Sequence, residues 1–329
     1  MDNVPQPRPG RGEVLVEVSF AGVNPVDTKI RKGEFPMYRP RLPATLGRDV
    51  SGIIAAVGGR AGGGFKVGDD VFGMLDYDHG AYAEYAVASR KEIAVRPTGV
   101  PEKAAGGIGV AALTAWQCLF DHGRLRRGQR VLIHGAAGGV GHFAVQFAKA
   151  KGAYVVATAS AADRRWVRKL GADEVIDFRA ERFEDHTNNI DLVVDLVSGE
   201  TQERSWCVLK PSGGRIVSTL SDPSKAEARK RRAKGIRMVV KPNHRQLVEI
   251  ARLIEAGKVI VKVGKTFPLR SAAEAHRLVE NGHVRGKVVL DLAPGWVDLQ
   301  VSVARRGALP AERLGALAPE DLVGVPSLF

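Results

Sequence analysis

Val131-Leu132-Ile133 runs into Gly135-Ala136-Ala137-Gly138-Gly139-Val140-Gly141, and the chain continues through Val145, Phe147 and Ala148. A short β-branched run, a glycine-rich turn and an apolar stretch at helical spacing read as strand, tight turn and helix. Ala136, Gly138 and Gly141 take the three small-residue positions of a dinucleotide-binding turn. Those positions serve the tight turn, close backbone approach to a pyrophosphate, and close packing of helix on strand. The helix N-terminus then presents N–H groups to phosphates, so Ala137, Gly139 and Val140 join the candidate cofactor-binding residues. A lone glycine turn is a weak signal, because any tight turn can use glycine for positive φ or for packing. A second strand ending at Thr158 strengthens it.

Outward from this turn the pattern alternates helical runs with short β-branched runs at 154–157, 174–176, 190–196 and 215–220. Such βαβ order predicts an α/β unit with a doubly wound parallel sheet. Gly152 and Gly171 fall where helices stop, and Ser160 with Asp163 resembles a capping box. Upstream, residues 13–20 alternate polar and apolar, and 22–33 read as a turn and helix. Short apolar runs at 51–57, 70–72 and 81–87, separated by glycine and aspartate, predict a compact barrel-like β unit. Downstream, helices are expected at 244–256 and 271–281, followed by a strand at 287–292 that returns to the first unit. The expected division is a discontinuous catalytic domain of residues 1–105 and 242–293, a cofactor domain of 106–241, and a tail of 294–329. That tail is rich in Ala, Gly, Pro and Leu and is expected to be disordered or loosely attached.

The tip of the second strand discriminates between cofactors, since NAD enzymes usually place a carboxylate there for the ribose 2′-OH. Here it reads Thr158, Ala159, Ser160, and Arg164 and Arg165 follow one helical turn later. Guanidinium groups at that spacing favour a 2′-phosphate, hence NADPH, over the competing reading that they merely solvate the helix. Thr114, placed at the start of a helix joining the domains, and Ser218, ending a strand, complete the set with Phe178 and its neighbour Arg179, which end the third strand.

At 329 residues, 44% hydrophobic and 26% charged, the chain has the composition of a soluble two-domain globular protein. No apolar run approaches the ~20 residues of a spanning helix, and the first nine residues do not form a secretory signal, so a cytoplasmic home is expected. Cys118 and Cys207 stand apart in apolar stretches and exclude a disulfide framework or a cysteine zinc cluster. A formal charge of +13 favours anionic partners: nucleic acid, anionic lipid or a phosphorylated cofactor. The densest basic run, 225–241, lacks interleaved aromatics, so it reads as a solvated helix or loop face.

These stretches carry a resemblance. Residues 128–149, with Gly22-Val23-Asn24-Pro25-Val26-Asp27, Leu46-Gly47-Arg48-Asp49-Val50-Ser51-Gly52, Val67-Gly68-Asp69-Asp70-Val71, Leu170-Gly171-Ala172-Asp173 and Gly286-Lys287-Val288-Val289-Leu290, resemble the zinc-independent quinone oxidoreductase (zeta-crystallin-like) branch of the medium-chain dehydrogenase/reductase superfamily. The resemblance spans roughly residues 7–292 and implies a GroES-like catalytic domain, a Rossmann domain, a cleft between them and a homodimer. Relatives begin with an extra strand pair, so the start is expected to be shortened, and the tail is not a family feature. Zinc enzymes of the superfamily hold their metal through two cysteines and a histidine. Asn24, Arg48 and Val110 take those positions, so no metal is expected.

Without zinc, the chemistry implied is NADPH-dependent hydride transfer to a quinone or α,β-unsaturated carbonyl. Asn24, Lys29 and Arg48 are the candidates to donate to the developing oxygen, with helix capping and solvation as the competing readings for the first two. Reduction of an enoyl thioester or alkenal is an alternative on the same fold. An NADPH-binding regulatory or RNA-binding protein without turnover is an alternative of another class.

Overall fold

A computed structural model describes residues 4–59, 64–282 and 284–292, and the expectation for the tail lies outside them. The first half contains β1 (Glu13–Val23), α1 (Pro25–Arg31), β2 (Asp49–Val57), β3 (Asp70–Met74), β4 (Tyr85–Ser89), β5 (Ile93–Val95), α2 (Glu102–Ala105) and α3 (Gly109–Trp116). The second contains β6 (Arg130–Ile133), α4 (Gly141–Ala150), β7 (Tyr154–Ala159), α5 (Ala161–Lys169), β8 (Glu174–Asp177), α6 (Phe183–His186), β9 (Leu192–Asp195), α7 (Glu200–Ser205), β10 (Arg215–Ser218), α8 (Lys225–Lys230) and β11 (Lys234–Arg237). The chain closes with α9 (His244–Glu255), β12 (Val263–Pro268), α10 (Ala272–Asn281) and β13 (Lys287–Asp291).

Strands β6 to β11 form a six-stranded sheet in the order β11-β10-β9-β6-β7-β8, with every pairing parallel. This is the doubly wound Rossmann order, and its reversal falls between β6 and β9. All of these strands except the edge strand β11 are largely buried on both faces. Val131, Ile133, Val155, Ala157 and Val194 enter the core against α3 and α4, while Leu132, Val156, Ile176 and Val193 enter a separate core with Phe183 and Trp206. The alternation of strand side chains divides one apolar run between two layers, which is why such strands read as continuous hydrophobic stretches.

The other sheet is seven-stranded and mostly antiparallel, with β13 beside β1, β12 beside β13, and β4 paired to β1. Its core holds Val14, Val16, Val18, Ile54, Val71 and Leu290. The strand expected at 287–292 forms as β13, and it lies antiparallel to β1. GroES-like β sheet and Rossmann sheet together give the α/β class read from the sequence.

Several local expectations are corrected. The basic run of 225–241 contains not only the exposed helix α8 but also β11, a parallel edge strand on β10. Only Ile236 of that strand is partly buried, so no alternation marks it. β12 was not anticipated for the same reason. The strand expected at 81–87 forms at Tyr85–Ser89 instead. Thr114 is not at the start of its helix but is the sixth residue of α3.

Candidate functional site

The glycine-rich turn leaves β6 at the point where the strand order reverses, and this places it at the crevice where open α/β sheets take ligands. The left-handed backbone of the tight turn falls on Gly135 (φ 69°) rather than on Ala136, because a Cβ penalises that conformation. Ala136 is buried, and its N–H donates to the Thr158 carbonyl at 3.1 Å, tying the turn to β7. A Cβ at Gly141 would stand 2.2 Å from the Gly135 carbonyl oxygen and 2.7 Å from Ala136 Cα, so only glycine lets α4 start this close. Residues 137–140 are half-buried, leaving their backbone accessible. This cradle fits a pyrophosphate at the start of a ten-residue helix.

Around the tip of β7 the polar groups are more committed than the sequence indicates. Thr158 is buried, and its hydroxyl meets His134 Nδ1 at 3.2 Å. His134 is pushed down to about 4 by burial and is therefore neutral at pH 7. Ser160 Oγ donates to Asp163 Oδ2 at 2.8 Å, a side-chain bond in place of the reciprocal capping box. Arg164 pairs with Glu181, whereas Arg165 is exposed. Phe178 is 53% exposed at the end of β8, with the Arg179 guanidinium 5.6 Å from its ring centre. Arg285 also reaches this edge, at 2.6 Å from Asp163. Ser218 is fully buried, and its Oγ accepts from the N–H groups of Leu220 and Ser221. The Thr114 hydroxyl donates back to the Val110 carbonyl at 2.6 Å, as helix-interior threonines do.

Across from the turn, Asn24, Asp49 and Lys287 converge although they come from the start of α1, from β2 and from β13. Asn24 Nδ2 donates to Asp49 Oδ2 at 3.0 Å, Lys287 Nζ lies 3.1 Å from the same oxygen, and Lys287 also donates to Asn24 Oδ1. Val110 N–H donates to Asp49 Oδ1. The side chains of Lys287 and Asp49 are 3% and 0% exposed, so each ion depends on the other and on these hydrogen bonds. Gly22 and Gly109 clear the space: a Cβ on either would meet an Asp49 carboxylate oxygen at 2.3 or 2.8 Å. The Lys287 stem runs past the cofactor turn, with Cδ 3.2 Å from a Cβ built on Gly139, so one lysine links the turn to this buried knot.

Asn24 also stands at the N-cap of α1, in a capping box with Asp27. The Asp27 half of that box is the short one, its Oδ2 accepting from the Asn24 N–H at 2.8 Å and from the Tyr82 hydroxyl at 3.3 Å. Burial raises the Asp27 carboxyl to about 7, against the lowering effect of the Asn24 N–H. Lys29 is half-buried on α1 and does not enter the knot.

Arg48 is 2% exposed. Its Nε donates to the Leu75 carbonyl at 3.0 Å and its guanidinium lies over the Tyr77 ring, 3.8 Å from the centroid. Nη1 and Nη2 of Arg48 and the Tyr77 hydroxyl are buried without a hydrogen-bond partner among the described residues.

Asn24 and Val110 thus meet through Asp49, the neighbour of Arg48. Among the described residues no three His, Cys, Asp or Glu side chains gather as a metal-binding group. Lys287, Asp49 and Tyr77 lie outside the candidates that the sequence points to. A lysine opening an apolar strand and an aspartate opening a buried one were the available signals.

Two family models match: an alcohol dehydrogenase GroES-like domain over residues 10–98 and a zinc-binding dehydrogenase over 170–290. The mitochondrial NAD(P)H oxidoreductase RTN4IP1 of Danio rerio is 35% identical over 324 residues, covering 85% of this chain and 84% of the relative. The solved quinone oxidoreductase of Coxiella burnetii superposes with a TM-score of 0.81 at 32% identity, over 88% of this chain and 93% of that one. The Escherichia coli quinone oxidoreductase complexed with NADPH gives 0.79 at 28%, over 89% and 95%.

Proposed function

Because the chain belongs to the zinc-independent quinone oxidoreductase branch of the medium-chain dehydrogenase/reductase superfamily, we propose that it is an NADPH-dependent reductase of quinones or other conjugated carbonyl acceptors. The observation that carries this reading is the turn at 135–141, set at the sheet's switch point with glycine required at Gly141 and facing the Lys287–Asp49–Asn24 knot. Backbone groups of residues 136–141 would hold the pyrophosphate, and Arg165, with Arg164 released from Glu181, would meet a 2′-phosphate beside Ser160 and Phe178. When bound, the nicotinamide supplies a hydride, and the protein's task is orientation and charge stabilisation.

That task falls to the residues opposite the turn. Arg48 has two unpartnered amino groups to donate to oxygen on which charge develops, in surroundings where water does not compete. Asn24 is held by Asp49 and Lys287 and acts by fixing the start of α1 and the wall of the cleft. Lys29 remains a candidate donor from the half-buried face of α1. We assign residues 1–105 and 242–293 to the catalytic unit and 106–241 to the cofactor unit, supported by the membership of the two sheets. A homodimer in the cytoplasm is the proposed working state; among the described residues no helix is long and apolar enough to cross a membrane.

Titration of the purified chain with NADPH and NADH, followed by NADPH oxidation with a quinone or an α,β-unsaturated aldehyde in the presence of chelator, tests the proposal. Tighter NADPH binding and acceptor-dependent, chelator-resistant oxidation are expected. Failure to bind either nucleotide overturns it.

A further inference from the structure

We infer that Arg48 and Tyr77 form a carboxylate-recognition site in the acceptor pocket, so that the preferred acceptors are conjugated carbonyl compounds bearing an ionised carboxylate. The inference rests on the proposed reading for the reaction and adds the chemical class of its substrate.

A guanidinium stays charged at every physiological pH, so its removal from water must be compensated where it sits. The buried ion pair of this region, Lys287 with Asp49, is closed by hydrogen bonds. Asp49 has Lys287 and Asn24, while the buried Asp27 carboxyl, raised to about 7, is held by the Asn24 N–H and the Tyr82 hydroxyl. Asp76, in the same loop as Tyr77 and partly exposed, is paired to Lys91 at 2.9 Å. Arg48, 2% exposed, donates from Nε to Leu75 and faces the Tyr77 ring, with the carboxyls of Asp27 and Asp76 attracting its charge from beyond hydrogen-bond reach. The stack compensates the charge in part but leaves four N–H bonds on Nη1 and Nη2 unmet.

The fork is also fixed. Leu75 N–H donates to the Arg48 carbonyl at 2.7 Å while Arg48 Nε donates to the Leu75 carbonyl, clamping both main chain and side chain to the end of β3. Tyr77 is held in turn by Tyr38, stacked at 5.2 Å, and Phe35 at 5.4 Å. A fixed pair of parallel N–H donors matches a planar pair of oxygens, which a carboxylate supplies. The Tyr77 hydroxyl, beside the guanidinium, still has its O–H to give as a third donor. Flat aromatic walls favour a planar carboxylate conjugated to an alkene over a tetrahedral oxyanion.

The test compares (E)-4-oxopent-2-enoate with its methyl ester as acceptors, and benzoate with benzamide as ligands of the NADP⁺-saturated chain by calorimetry. The wild-type chain is expected to show kcat/KM at least tenfold higher for the acid than for the ester and to bind benzoate but not benzamide. In Arg48→Met the acid-to-ester ratio is expected to fall to about one, and in Arg48→Lys, which keeps charge without the fork, to an intermediate value. Equal use of acid and ester by the wild type, or a ratio unmoved in Arg48→Met, overturns the inference. So does loss of NADPH affinity in Arg48→Met with the ratio intact, which would assign Arg48 to the cofactor. If no acceptor is turned over, the proposed function fails instead. The benzoate arm, which needs neither turnover nor a variant, then decides this inference: its absence overturns it.

Discussion

Lys287 Nζ lies 3.1 Å from Asp49 Oδ2, with both side chains all but removed from water. Each charge is tolerated only because the other is present, so removing one leaves an uncompensated buried ion. Breaking such a pair costs about 3–5 kcal/mol, more than the pair itself contributes over an apolar replacement. Lys287→Met is expected to destabilise the chain by that amount in urea unfolding. The double variant Lys287→Met/Asp49→Asn should lose markedly less than the sum of the singles. Additive losses would mean that the two side chains do not depend on one another.

Gly141→Ala tests the cofactor turn. The added methyl meets backbone at 2.2 Å, and backbone cannot swing aside as a side chain can. Overpacking of this kind costs about 1–3 kcal/mol and displaces the start of α4 from β6. The expected result is at least a tenfold rise in the NADPH dissociation constant, measured by nicotinamide fluorescence. Gly138→Ala is the control, since its Cβ finds nothing nearer than 3.4 Å. It should perturb the fold far less than Gly141→Ala, and equal effects would remove the packing argument.

The Rossmann half was legible because its strands are buried on both faces and its helices end at glycines with positive φ, Gly152 and Gly171. The strand β11 was not, since Lys234 and Arg237 occupy an exposed sheet edge where no alternation is imposed. The site divides similarly. The cofactor turn is local, so spacing alone finds it, with an error of one residue in where positive φ falls. The knot is not local: Asn24 and Lys287 are 263 positions apart, and only the return of β13 to β1 brings them together. Only chain position points to Thr114 and Ser218, and in the fold their hydroxyls serve their own backbone.

Arg165→Ala and Arg164→Ala are expected to weaken NADPH while leaving NADH nearly unchanged. A hydrogen bond to a charged group contributes about 1.5–3 kcal/mol, or roughly 10- to 150-fold in affinity. Arg165 should show the larger effect in the first titration, because Arg164 must first leave Glu181. Glu181→Gln should therefore tighten NADPH, freeing Arg164. Parallel changes for both nucleotides would show that neither arginine reads the 2′-phosphate.

Asp27 makes stability depend on pH in the direction opposite to most carboxylates. Burial raises its folded value to about 7 from 3.8, so between those values the folded chain holds a proton that the unfolded chain has released. Stability from this group is full below about pH 4 and is lost as pH rises through about 7, because the carboxylate must then be buried ionised. His134 and His142, both pushed down to about 4 by burial, act with the opposite sign: their contribution is present above about 6.5 and lost as pH falls. Asp27→Asn retains an acceptor for the Asn24 N–H but cannot titrate, and the histidines cancel in the comparison with wild type. The variant is expected to gain on the wild type as pH rises from 4 to 8. The cap on that gain is about 4 kcal/mol, from roughly three units at ~1.4 kcal/mol each, reduced by relaxation around the ionised group. Urea unfolding of both proteins at pH 4.5, 6 and 8 measures it. A constant difference across the three would show that Asp27 titrates at the same pH folded and unfolded.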